Sequence, residues 1–142
     1  VATIEGAMRE LLLADPQVVA LVGDRVYPQD APQDAAPPMV VYQTADLDQS
    51  VCVSGVENEF SQSFRFDCYG GAGEPYASAK AVADAVRTRA LALEIAAAQG
   101  GRIVVEGVAP EGGEDGLEPP AFGEGDGIDY VGVQARVFWR TN

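Results

Sequence analysis

No histidine occurs among the 142 residues. That removes Ser-His-Asp and Cys-His nucleophilic arrangements and the common histidine-bearing zinc sites. Cysteine is scarce, with Cys52 and Cys68 alone. Two thiolates do not complete a tetrahedral zinc site. Their spacing does not establish a disulfide, and as lone thiols they read as small buried hydrophobes. Positive charge is scarce as well: nine Lys and Arg stand against 22 Asp and Glu, for a formal charge of −13. A broad nucleic-acid-binding face needs clustered cations, so this balance argues against one. It leaves room for a repelling channel through which DNA slides. Long apolar runs are missing too, since no stretch approaches the ~18 residues of a membrane-spanning helix. The opening Val1-Ala2-Thr3-Ile4-Glu5 lacks the basic region and apolar core of a signal peptide.

What is present suits a single domain across residues 1–142. Hydrophobic residues make up 47%, enough for one core at this length. Thr3 to Leu13 reads as a helix with Ile4, Ala7 and Leu11 on one face. Asp15-Pro16 restarts the chain as cap and first helical residue, and Gly23 ends that second, short helix. Arg25 to Pro28 is a brief extended piece, and Gln29 to Pro38 a proline-rich loop. Met39 to Thr44 is a strand. Asp46 to Asn58 reads as a polar connection or hairpin tip.

Glu59 to Tyr69 carries the clearest strand signal. Phe60, Phe64, Phe66 and Cys68 share one face, while Ser61, Ser63, Arg65 and Asp67 share the other. Gln62 is the polar exception on the apolar face. Pro75 to Leu91 is the strongest helix, with a stripe of Ala79, Val82, Ala83, Val86 and Ala90. Leu91 to Ala98 prolongs it or forms a separate turn. Arg102 to Val108 is a strand, Ala109 to Gly127 a long acidic loop, and Asp129 to Trp139 a final strand with large groups on both faces. The expected fold is therefore α+β: a mainly antiparallel or mixed sheet of about four strands, with two main helices packed on one face.

Chemistry is sparse along this chain. Glu114-Asp115-Gly116 and Glu124 to Asp129 offer oxygens but not the spacing of a twelve-residue calcium loop. Gly70-Gly71-Ala72-Gly73 lacks the Gly-Lys-Ser/Thr ending of a phosphate loop. No catalytic, cofactor or metal residues are assigned, and an enzyme is not expected. Arg65, Tyr69, Arg136 and Phe138 point away from the expected core. Aromatic and arginine side chains are favoured interface anchors, and scarce Arg residues on an acidic subunit suit pairing with carboxylates. These four are the candidate subunit interface.

Several segments together resemble the tail-completion, or tail-terminator, proteins of long-tailed bacteriophages and gene transfer agents. They are Met8 to Val18, Leu21-Val22-Gly23-Asp24-Arg25-Val26-Tyr27-Pro28, and Pro37-Pro38-Met39-Val40-Val41-Tyr42-Gln43. Phe64-Arg65-Phe66-Asp67-Cys68-Tyr69-Gly70 follows, then the helix from Tyr76 to Val86 and the closing Val133-Gln134-Ala135-Arg136-Val137-Phe138-Trp139. The resemblance spans nearly the whole chain in the right order. Its main departure is Ala109 to Gly127, longer and more acidic than the typical connection.

The resemblance implies a structural virion protein forming a ring, hexameric in such proteins, at the head-proximal end of the tail tube. The implied partners are further copies of itself, the tail tube protein and a stopper or connector protein. DNA passes through the channel without sequence-specific binding, and no membrane or cofactor is involved. The implied location is the neck of the virion. Glu111, Glu114, Asp115, Glu118, Glu124 and Asp126 are candidates for the lumen or an axial interface, where carboxylates would repel a sliding duplex. The alternatives are a stopper or adaptor ring of the connector, or an acidic soluble binding module.

Overall fold

The computed structural model describes residues 3–29, 38–52, 55–71, 75–111, 121–122 and 129–141. Helix α1 (Ile4–Leu13) begins where the Thr3 hydroxyl accepts the Gly6 N–H at 3.0 Å, and it buries Ile4, Ala7, Met8, Leu11 and Leu12. The Asp15 carboxylate caps α2 (Pro16–Val22) by accepting the Gln17 N–H at 2.9 Å. At the other end, Gly23 takes a φ of 64° and returns its N–H to Val19, a conformation glycine adopts without steric cost. In α3 (Pro75–Leu91) the expected stripe of Ala79, Val82, Ala83, Val86 and Ala90 is fully buried. Its small side chains bring the helix close to the sheet.

The strands are β1 (Val26–Pro28), β2 (Met39–Cys52), β3 (Gly55–Tyr69), β4 (Ala96–Ala98), β5 (Ile103–Glu111), β6 (Ala121–Phe122) and β7 (Asp129–Thr141). They form one sheet in the order β1-β2-β3-β7-β5-β4, and β6 pairs with β7. The β1–β2 pair is parallel and every other pair antiparallel. The sheet is thus mixed and seven-stranded, not four-stranded.

Three segments account for the difference. Within the segment read as a connection or hairpin tip, residues 46–52 and 55–58 belong to strands β2 and β3, with Val51 opposite Val56 and Cys52 opposite Gly55. Residues 96–98, read as helix or turn, form an edge strand on β5. The segment read as a loop from Ala109 gives three residues to β5, and Ala121–Phe122 to β6.

Strand β7 is central, flanked by β3 on one side and β5 on the other. Its register with β3 sets Phe60 opposite Trp139, Phe64 opposite Ala135, Phe66 opposite Val133 and Cys68 opposite Val131. These residues face the helices and join the core with Val40, Tyr42, Ile103 and Val105. Tyr42 packs against Phe64 and Phe66 with ring centroids 6.0 and 5.6 Å away. Gln62 is buried on the same side. Cys68 is a free buried thiol, pushed well above its ordinary pKa by burial and then by Asp67. The Cys52 side chain lies outside the described residues.

Three arginines brace the connections. Arg9 donates to the Val26 and Asp24 carbonyls at 2.8 and 3.1 Å, Arg25 to Pro38 at 2.8 Å, and Arg89 to Leu11 at 2.9 Å. The scarce cations here hold backbone oxygens at chain turns, including the carbonyl end of α1, where positive charge is favourable.

Candidate functional site

Antiparallel pairing fixes which side chains share the outer face of the sheet, because paired residues point the same way. Opposite one another there stand Tyr69 and Tyr130, Arg65 and Gln134, Ser63 and Arg136, and Ser61 and Phe138. The next strands extend these rows with Gln43 beside Arg65 and Glu111 beside Gln134. All four candidate interface residues, Arg65, Tyr69, Arg136 and Phe138, therefore stand on one surface.

A polar network organises its middle. The Ser63 hydroxyl donates to Glu111 Oε1 at 2.7 Å. Arg136 donates from Nε to Ser61 Oγ at 3.1 Å and from a terminal nitrogen to Ser63 Oγ at 3.2 Å, and that nitrogen lies 3.8 Å from Glu111 Oε2. Arg65 Nε meets Asp67 Oδ1 at 2.9 Å along the same strand, and Arg140 Nε lies 3.9 Å from Glu106. Arg65 and Arg136 thus find carboxylates within their own chain. The face presents side chains that are already neutralised and held in place. A shallow concavity of about 260 Å³ is lined by Gln43, Ser63, Arg65, Glu111 and Gln134, among others.

Aromatic groups flank the network. Tyr69 and Tyr130 pack with ring centroids 5.3 Å apart. Burial raises the Tyr69 pKa, and the Asp67 carboxylate and Tyr130 add to it against the opposing pull of Arg65. Phe138 stands at the other end with 43% of its surface exposed. Its lateral neighbours Ser61 and Gly107 are small, so its ring projects above them. Exposed and half-buried aromatics around a satisfied polar centre suit a protein–protein contact.

Glu111 stands apart from the other acidic candidates. It closes β5 on this face, where only the fold brings it to Ser63 and Arg136. Glu114, Asp115, Glu118, Glu124 and Asp126 lie outside the described residues. Among the described residues, no group of three or more His, Cys, Asp or Glu is arranged to hold a metal ion. Glu106 and Arg140, a second ion pair, carry no sequence signal, because a bulge between Val105 and Gly107 shifts the register beside them.

A family model described as tail completion protein gp17 matches residues 6–112 of the chain. Among solved structures, a chain from the virion of a native gene transfer agent particle superposes with a TM-score of 0.68. The two are 22% identical, and the match covers 96% of this chain and 94% of that one. At that identity the likeness is one of fold. No curated protein sequence matches the chain.

Proposed function

The chain belongs to the tail completion protein gp17 family, a family of structural virion proteins and not of enzymes, and from that premise we propose that it forms a ring ending the tail tube. The ring, hexameric in this reading, sits at the head-proximal end of the tube. It stops tube polymerisation, joins the tail to the stopper or connector and lets DNA pass. The observation that carries the reading is the outer sheet face, where a satisfied polar network is flanked by aromatics and left uncovered by the helices. In cyclic symmetry each contact is head-to-tail, so a ring needs two unlike sides per subunit. The outer face, with Arg65, Tyr69, Arg136 and Phe138, supplies one of them and the helical layer the other.

The acidic segment completes the assignment. Glu114, Asp115, Glu118, Glu124 and Asp126 face the lumen or an adjoining ring, and Glu111 anchors the base of their segment through Arg136. Carboxylates along a lumen repel the phosphate backbone and keep the duplex sliding. Electron cryo-microscopy of the particle neck tests the reading. A ring of this chain directly above the last tube ring is the expected result. Density in a different ring would make it a stopper or adaptor. Replacing several of these carboxylates by Lys should slow DNA exit if they line the channel, and should block head joining if they meet a neighbouring ring.

A further inference from the structure

The register of β5 against β7 sorts the middle of the outer face by size. The outward residues of β7, Arg136, Phe138 and Arg140, are large, and directly opposite them on β5 stand Ala109, Gly107 and Val104. Strand β7 is thus a ridge and β5 a furrow beside it. Phe138 tops the ridge with 43% of its surface exposed, and Gly107 is the floor of the furrow. The Gly107 backbone is not left-handed, and a Cβ added there would meet nothing within 4 Å. Neither the bulge nor the packing of its own chain therefore requires glycine, which weakens a strand. A strand glycine of this kind suits the close approach of another molecule.

The same two strands divide the charge. The cations Arg136 and Arg140 are on β7, and the carboxylates Glu106 and Glu111 are on β5. Within one chain Arg140 lies 3.9 Å from Glu106, and Arg136 lies 3.8 Å from Glu111. The Arg140–Glu106 pair is 39% exposed on both sides, and an exposed pair holds its members weakly enough for each to meet a second partner. The other charges of this face, Arg65 with Asp67 and Glu59 opposite Arg140, sit on β3, on the far side of the ridge.

The sheet is also curved. Helix α1 touches both ends of it: Arg9 donates to Val26 of β1, and Glu10 accepts the N–H of Gln99, the residue after β4, at 2.9 Å. The strands therefore curl around the helical layer, and the outer face is convex. Two convex faces meet along one line of strands and not over a whole sheet.

We propose that two copies of the chain pair face to face about a two-fold axis running between β5 and β7, the β7 ridge of each lying in the β5 furrow of the other. Phe138 of each copy then covers Gly107 of the other. Arg136 and Arg140 of each come over the strand that carries Glu106 and Glu111 in the other, while Glu59 meets the uncharged Ala97. A second copy fits this surface because ridge and furrow, and cation and carboxylate, lie side by side on one face, as a self-complementary contact requires. The pair goes beyond the ring reading. It occupies the face that reading gives to a neighbouring subunit, so it is the state of the chain before assembly and opens when the ring forms.

The test uses the full chain, with pairing followed by analytical ultracentrifugation and folding by thermal melting. Salt at about 0.15 M screens the repulsion between the two acidic chains. Gly107→Ala should melt at or above the temperature of the parent, because it restricts the unfolded chain without a clash. It should nonetheless weaken pairing about tenfold, since its methyl overfills the furrow. Phe138→Ala should weaken pairing at least as much, as loss of a central aromatic anchor does. Gly107→Phe alone should abolish it, and Gly107→Phe together with Phe138→Ala, which exchanges ridge and furrow, should restore it. Full-strength pairing of Gly107→Ala would overturn the contact while leaving the ring reading intact, and that variant decides the matter even if Gly107→Phe fails to fold. An exchanged double variant that folds yet pairs no better than Gly107→Phe would overturn it too. So would a parent chain that stays monomeric at every concentration, or one that forms only species larger than two copies. The ring reading is decided separately, by whether the neck contains a ring of this chain.

Discussion

At the residue scale, unusual side chains separate into those the fold satisfies and those it leaves incomplete. Trp139 belongs to the second group. It stacks on Phe60 with ring centroids 4.4 Å apart, and its buried indole N–H has no acceptor among the described residues. A buried donor without a partner costs about 1–3 kcal/mol. Trp139→Phe removes that donor along with some packing, and its stability should stay within about 1 kcal/mol of the parent. Trp139→Ala keeps neither gain and should cost about 3–5 kcal/mol. Urea denaturation of both variants reads the contrast. Arg136 belongs to the first group, since Ser61, Ser63 and Glu111 surround it.

Two contacts at the element scale tie local chemistry to the packing of whole helices. Asp15 is the cap of a seven-residue helix, too short to persist without tertiary support. Asp15→Ala should cost about 1 kcal/mol, visible as a lower denaturation midpoint with an unchanged slope. Tyr42 links β2 to α1 by donating its hydroxyl to the Glu5 carbonyl. Burial is the main cause that pushes its phenol well above the ordinary value, and Arg9 opposes it. The folded phenol therefore stays protonated at a pH where the unfolded one, near ~10, has ionised. Unfolding then releases a proton, so stability falls as pH rises beyond about 10. Cys68 acts with the same sign from about pH 8.5, because its folded thiol is raised as well. Denaturation measured between about pH 7 and pH 11 should show a declining alkaline limb. Tyr42→Phe should make that limb shallower above about pH 10, at the expense of about 1 kcal/mol at neutral pH from the lost hydrogen bond.

For the whole molecule, charge and topology dominate. A formal charge of −13 opposes compaction, and screening weakens that opposition. The melting temperature should rise by several degrees as sodium chloride goes from about 0.02 to about 0.5 M, in scanning calorimetry at neutral pH. A fall would mean that ion pairs such as Arg65–Asp67 and Arg136–Glu111 outweigh the general repulsion. Topology makes the chain two-sided. Helices cover one face of the sheet, and the other carries the network around Arg136 in the open.

The sequence by itself determined the three helices, the Asp15 and Gly23 ends of the second of them, and the alternation of β3 and β7, because those signals depend on local spacing. The stripe on α3 and the apolar row from Phe60 to Cys68 were legible for that reason. So was the outward direction of Arg65, Tyr69, Arg136 and Phe138, since period two assigns sides without knowledge of neighbours. Only the tertiary structure decided the rest. Among the described residues, β7 pairs with β3 only from Glu59 onward, so Val51–Cys52 and Gly55–Val56 are paired with each other and with no third strand, a pairing that no local pattern announces. Ala96–Ala98 has the composition of a helix yet pairs with β5, with Ile95 and Gln99 in left-handed conformations on either side. Glu111 meets Ser63 and Arg136 across separations of 48 and 25 residues, a juxtaposition that no local pattern encodes and that the register of the sheet creates.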